Sequence, residues 1–290
     1  KEAVVGGRKL FQVYWSVLGI VFLDIVFKLV ADGFGANSNG YLWNGGISKY
    51  NPDIHARNLE DIVWMAVIAE DEIAGDTTRT KQLISSITGY PDLFFKAFGS
   101  KEITMERISK AIAQFVRTLV SANSKFDHYL RGEYQLTAEE LRGFVLFTTE
   151  EGADCFHCHG GGGNPLFTTN LFYNNGKDDE FDDLYDRYSI TNNPVDIGAY
   201  KAPTLRNVEL TGPYMHDGRF SSLEEVIEFY SHQVKNSPYI NPLMHHVANG
   251  GTQLTPSEKT DLMAFIKTLR DDDFLNNPNF SRPSKFPDEQ

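Results

Sequence analysis

Apolar positions recur along this chain mostly at helical spacing. Over residues 105–122, Ile108, Ile112, Phe115 and Leu119 follow one another at steps of four, three and four. That spacing lays one apolar stripe along a helix and predicts a core-facing helix across the stretch. Thr137 with Glu140 has the form of a capping box, in which hydroxyl and carboxylate satisfy the free N–H groups of a helix start. The helix it opens is predicted to run to Phe147. Ser222 with Glu225 repeats the device ahead of Val226, Ile227 and Phe229. Thr255, Pro256 and Glu258 supply cap, first-turn proline and box partner for a helix ending near Leu269, beyond which an acidic, Asn- and Pro-rich tail follows. Strand-type alternation is sparse, and no segment repeats another. Residues 160–193, rich in Gly, Asn and Asp, read as surface loop. The fold class predicted is mainly α.

Composition narrows the function. With 290 residues, 41% hydrophobic and 13% aromatic, the chain can bury a substantial core and is long enough for one large or two modest domains. A net charge of -12 without any Lys/Arg-rich run leaves no basic surface for phosphate backbones, so nucleic acid is not an expected partner. An acidic body suits a protein that meets a partner carrying a basic patch.

Both cysteines of the chain fall in one pentapeptide, Cys155-Phe156-His157-Cys158-His159, which leaves no thiol for a disulfide framework. A structural zinc site needs a second Cys/His pair at suitable spacing, which is absent. A thioredoxin-like dithiol normally opens a helix beside a sheet, unlike the Gly-rich stretch that follows here. An accidental pair of buried cysteines leaves the order of residues unexplained. C-x-x-C-H is the order that covalent attachment of a c-type heme requires: two thioethers hold the porphyrin edge, and the adjacent histidine reaches the iron from one face. Cys155, Cys158 and His159 are therefore the expected heme residues, which implies a redox protein of the periplasm or another extracytoplasmic compartment. Residues 160–193 are then expected to wrap the heme edge.

From about residue 41 to 269, the chain resembles the bacterial diheme cytochrome c peroxidases and the related diheme enzyme that matures the tryptophylquinone cofactor of methylamine dehydrogenase. The resemblance rests on residues 41–46, on residue 136 through the heme pentapeptide, and on residues 202–207 and 210–219. It implies two cytochrome c-like helical domains, here expected at 1–132 and 133–290, with the N-terminal one atypical. It implies peroxidase activity: hydrogen peroxide is reduced with electrons from a small redox protein, and a calcium ion sits between the domains. Residues 6–11 look like the family's opening, yet no C-x-x-C-H follows them. The alternative is therefore a single-heme electron-transfer subunit without peroxidase activity.

In place of the missing attachment motif, residues 11–30 are strongly apolar, interrupted by Asp24 and Lys28. About twenty helical residues span roughly 30 Å. Three readings stay open: a membrane or signal-anchor helix, a buried helix of a heme-less remnant domain, or a stretch that departs from the natural sequence. A membrane contact is expected only through these residues.

The resemblance also implies individual roles. Trp43 matches a tryptophan lying between the two hemes, where the alternative is a core tryptophan. Glu72 falls near an acidic residue of the peroxide pocket that can move a proton between the peroxide oxygens; otherwise it is a solvated acid in the run Glu70-Asp71-Glu72. Thr211 and Pro213 match positions whose backbone carbonyls contact calcium, or else form a plain turn around Gly212. Tyr230 occupies the place of the heme's second axial ligand, a methionine in the peroxidases and a tyrosine in the quinone-maturing enzyme. Met244, Met215 and His216 are its rivals, and packing against the porphyrin is its bland alternative.

Overall fold

Regular structure is almost entirely helical in the computed structural model of the chain, which describes residues 58–68, 75–181 and 186–281. The described residues form two compact units, one of residues 58–68, 75–119 and 278–281, the other of 120–181 and 186–277.

The first unit contains α1 (Leu59–Ile68), α2 (Thr77–Ser86), α3 (Tyr90–Phe98) and α4 (Met105–Thr118). Asp76 caps α2 by accepting from the amides of Thr78 and Arg79, and Gly99, left-handed at φ 76°, ends α3. The buried side of α4 comprises Met105, Ile108, Ser109, Ile112, Ala113 and Val116, packed with Ile62, Val63 and Val67 of α1 and with Ile84 and Phe94. Ile108, Ile112 and Leu119 are buried as the stripe predicts. Phe115 is only partly buried and meets the ring of Phe280 edge-on at 6.3 Å. The helix stops at Thr118 and does not continue to residue 122. Beyond it, the Ser121 hydroxyl and the Asn123 amide both donate to the Asp271 carboxylate, at 3.0 and 2.9 Å, so this backbone follows the second unit instead.

The second unit is built from α5 (Lys125–Leu130), α6 (Ala138–Phe147), the single turn α7 (Phe156–His159), a two-stranded antiparallel ribbon of β1 (Phe172–Tyr173) and β2 (Tyr200–Lys201), α8 (Tyr188–Thr191), α9 (Leu223–His232), α10 (Pro256–Lys267) and α11 (Asp272–Leu275). All three capping boxes read from the sequence form, at Thr137, Ser222 and Thr255, and a fourth at Ser124 uses Asp127 as its carboxylate. α6 packs directly on α10, and Gly143 is what permits the approach: a Cβ there would lie 1.9 Å from the Asp261 carbonyl oxygen. Between and around these helices stands an aromatic core in which Phe265 lies 5.1 to 5.2 Å from Phe126, Phe144 and Phe147. Arg206 and Asp127 form a buried two-point pair at 2.9 and 2.7 Å. Burial alone raises the Asp127 carboxyl, but hydrogen bonds from Arg206 and Ser124 outweigh it and hold it down to about 2.

Residues 160–193 differ from the surface loop expected of them. Phe167, Thr168, Asn174 and Lys177 are buried. Their polar groups find partners inside: Asn174 donates to the Ile197 carbonyl at 2.9 Å, and Lys177 pairs with Asp178 and Asp217 at 2.8 and 3.1 Å. Satisfied polar groups lower the cost of burying an irregular segment.

Candidate functional site

The site begins where α6 ends. The Ala153 amide returns to the Leu146 carbonyl at 2.8 Å, and Asp154, left-handed at φ 54°, turns the chain into Cys155. Cys155 precedes α7, and the His159 amide closes that turn onto the Cys155 carbonyl at 3.0 Å. Cys155 and Cys158, three residues apart, therefore share one helix face. Gly160 leaves the turn at φ 73°, with Asn164 filling the space a Cβ would need.

Both cysteines are free and partly buried. Loss of hydration is the main cause that raises both thiols, with Cys158 pushed up to about 12 and the Asp154 charge adding to the effect on each. A dithiol oxidoreductase needs the reverse, a thiol acidic enough to ionise near neutral pH. Among the described residues, neither cysteine joins a His, Asp or Glu group of metal-binding geometry. His159 faces two backbone carbonyls through Nδ1, Pro203 at 3.1 Å and Phe167 at 3.3 Å. A carbonyl can only accept, so Nδ1 carries the proton and Nε2 keeps its lone pair. Burial also lowers the imidazole's pKa, which favours this neutral form. Two neutral thiols on one helix face, beside an imidazole with Nε2 free to ligate, fit a c-type heme.

Tyr230 projects from α9, and its phenol oxygen accepts from Asn175 Nδ2 at 2.9 Å. Burial raises its pKa, opposed by the Asn175 hydrogen bond and reinforced electrostatically by Cys158 and Cys155. The same Asn175 amide lies 3.7 Å from Met215 Sδ, so the structure gathers Tyr230 and Met215 about one residue. His216 instead stacks on Tyr200, with ring centroids 3.7 Å apart and planes 7° from parallel. Met244 stands in the 241–249 segment, its amide bonded to the Asn241 carbonyl at 2.9 Å. Thr211 and Pro213 lie on an exposed turn after the 3₁₀ turn Val208–Leu210, with the Thr211 hydroxyl donating to the Val208 carbonyl at 3.2 Å. Trp43, Glu72 and residues 11–30 lie outside the described residues. Asn175 was not singled out from the sequence; one more Asn in a Gly/Asn-rich stretch carries no periodicity or spacing to mark it.

Comparison with known proteins gives the family. A MauG-like protein associated with microbial copper homeostasis, solved as a crystal structure, superposes with a TM-score of 0.69 at 33% identity, over 81% of this chain and 74% of that one. The chain belongs to the MauG and di-haem cytochrome c peroxidase family. The family profile, described as di-haem cytochrome c peroxidase, matches residues 28–135. That stretch includes Trp43 and Glu72 and holds no C-x-x-C-H. Among curated family members, the cytochrome c551 peroxidase of Nitrosomonas europaea is 32% identical over 80% of this chain and 63% of its own length. The methylamine utilization protein MauG of Methylophilus methylotrophus is 32% identical over 75% and 62%. The chain thus spans less than two thirds of the length of these relatives. Membership agrees with the mainly α fold and with heme c as the family's cofactor. No described helix is long and apolar enough to cross a membrane.

Proposed function

We propose that this chain is a heme peroxidase-family oxidoreductase acting outside the cytoplasm, reducing hydrogen peroxide to water with electrons from a small redox protein. The observation that carries the reading is His159, its Nδ1 committed to two backbone carbonyls, one turn from two neutral thiols. When bound, the heme supplies an iron that accepts and donates single electrons. Cys155 and Cys158 would hold it through thioethers, and His159 Nε2 would bind the iron. Tyr230, its oxygen held by Asn175, would be a further ligand of the iron. Glu72, in the N-terminal domain 1–132, would move the proton between peroxide oxygens, and Trp43 would assist electron transfer involving the heme domain, 133–290. The carbonyls of Thr211 and Pro213 contribute to a calcium site. The net charge of -12 favours a donor with a basic docking patch.

One observation favours a second reading, electron transfer without peroxidase activity: a single C-x-x-C-H serves the whole chain. Heme counting and turnover together separate the two. A pyridine hemochrome assay on the purified chain should show covalent heme, and a reduced small cytochrome should be oxidised on adding peroxide. One heme per chain with no peroxide consumption would transfer the conclusion to the carrier. A colourless chain with no Soret band would sink both.

A further inference from the structure

The heme reading leaves one histidine of the pentapeptide without work. His157 lies between two acids: its Nδ1 is 2.6 Å from Asp154 Oδ1 and its Nε2 is 3.5 Å from Glu150 Oε1. A third partner arrives from almost ninety residues later in the chain. His245 sets its ring edge-on to that of His157 at 4.9 Å, with Nδ1 3.4 Å from the other oxygen of Asp154. Its neighbour His246 contacts the Glu150 backbone carbonyl through Nε2 at 2.6 Å, which ties the two segments together. One ligand atom from each of Glu150, His157 and His245 lies within 4.8 Å of the other two.

We propose that Glu150, His157 and His245 bind a divalent first-row transition-metal ion, of which Zn2+ is the type, at a site distinct from the iron ligand His159. The chemistry of the donors supports it. The Asp154 side chain is only 7% exposed and touches Nδ1 of both rings. As a carboxylate it accepts from His157 Nδ1, fixing that imidazole in the tautomer that leaves Nε2 for an ion, and it stands 3.4 Å from His245 Nδ1. This is the arrangement in which an outer carboxylate orients histidine ligands. Two atoms bound to one tetrahedral zinc at about 2.0–2.2 Å stand roughly 3.3–3.5 Å apart, close to the 3.5 Å between His157 Nε2 and Glu150 Oε1. Two imidazoles with one carboxylate select zinc, copper or nickel over the oxygen-loving calcium and magnesium. The Glu150 and His245 side chains are 56% and 38% exposed, so they can close onto an ion and leave its fourth position to water. An ion held here fastens the 245–246 segment to the heme-bearing turn.

The test is calorimetric titration of tag-free, heme-loaded protein with Zn2+. Zinc exchanges no electrons with iron, so the Soret band reports separately that the heme site is intact. One ion per chain is expected, with a Kd on the order of micromolar or below. His245→Ala and Glu150→Gln should each weaken binding by about 10-fold or more. His128→Ala, a half-buried histidine outside the cluster that pairs with Glu133, should bind like the parent. Both cluster substitutions are at exposed positions and spare the fold. Binding that does not saturate, or either cluster variant binding zinc as tightly as the parent, overturns the site. Either result leaves the Soret band, and so the heme reading, standing.

Discussion

Gly143→Ala tests how tightly α6 must press on α10 to place the heme-bearing turn. An added Cβ would stand 1.9 Å from the Asp261 carbonyl oxygen, 2.6 Å from its carbon and 2.8 Å from Phe265 Cβ. Two of these atoms are backbone, so no side chain can swing aside. The helices must part by roughly 1–1.5 Å to restore ordinary contact, and a gap of about 0.5–1 Å already forfeits a quarter to a half of a dispersion contact. The rings of Phe126, Phe144 and Phe147 around Phe265 bear that loss. Overpacking of this kind costs about 3 kcal/mol. Alanine's better helix propensity returns about 1 kcal/mol. A net loss of about 2 kcal/mol should lower Tm by roughly 4–8 °C for a unit of this size. Thermal unfolding followed by far-UV circular dichroism checks it, with Leu141→Ala, at an exposed position of the same helix, as the control expected to change little. A Gly143→Ala protein as stable as its parent would show that the helices are not in backbone contact.

Two further outcomes follow from the buried chemistry. Asp127 is held down to about 2 against an ordinary 3.8, so its pair with Arg206 adds stability above about pH 4 that is lost as the pH falls toward 2. That contribution is about 2 kcal/mol. Urea midpoints measured across this window should fall, and Asp127→Asn should remove that part of the slope; an unchanged slope would mean the pair does not govern acid stability. Tyr230→Phe should shift the ferric heme spectrum if the phenol oxygen binds iron, and an identical spectrum would rule the ligand out.

What the sequence determined by itself is local. The capping boxes at Thr137, Ser222 and Thr255 each close within four residues, so the residues that encode them also complete them. The C-x-x-C-H order is local too: one helical turn brings both thiols to the same face whatever surrounds it. Spacing on α4 marked Ile108 and Ile112 as core, yet could not place the helix end, because Asp271 draws the following backbone away from about 150 residues along the chain. Only the tertiary structure joined Asp127 to Arg206, Asn175 to Tyr230, and Glu150 to His157 and His245. It also showed that residues 160–193 run partly through the interior. The physical reason is common to these cases. Periodicity and capping report what a residue does to its own turn, whereas burial, a partnered charge or a shared ligand site depends on which distant segment packing brings against it.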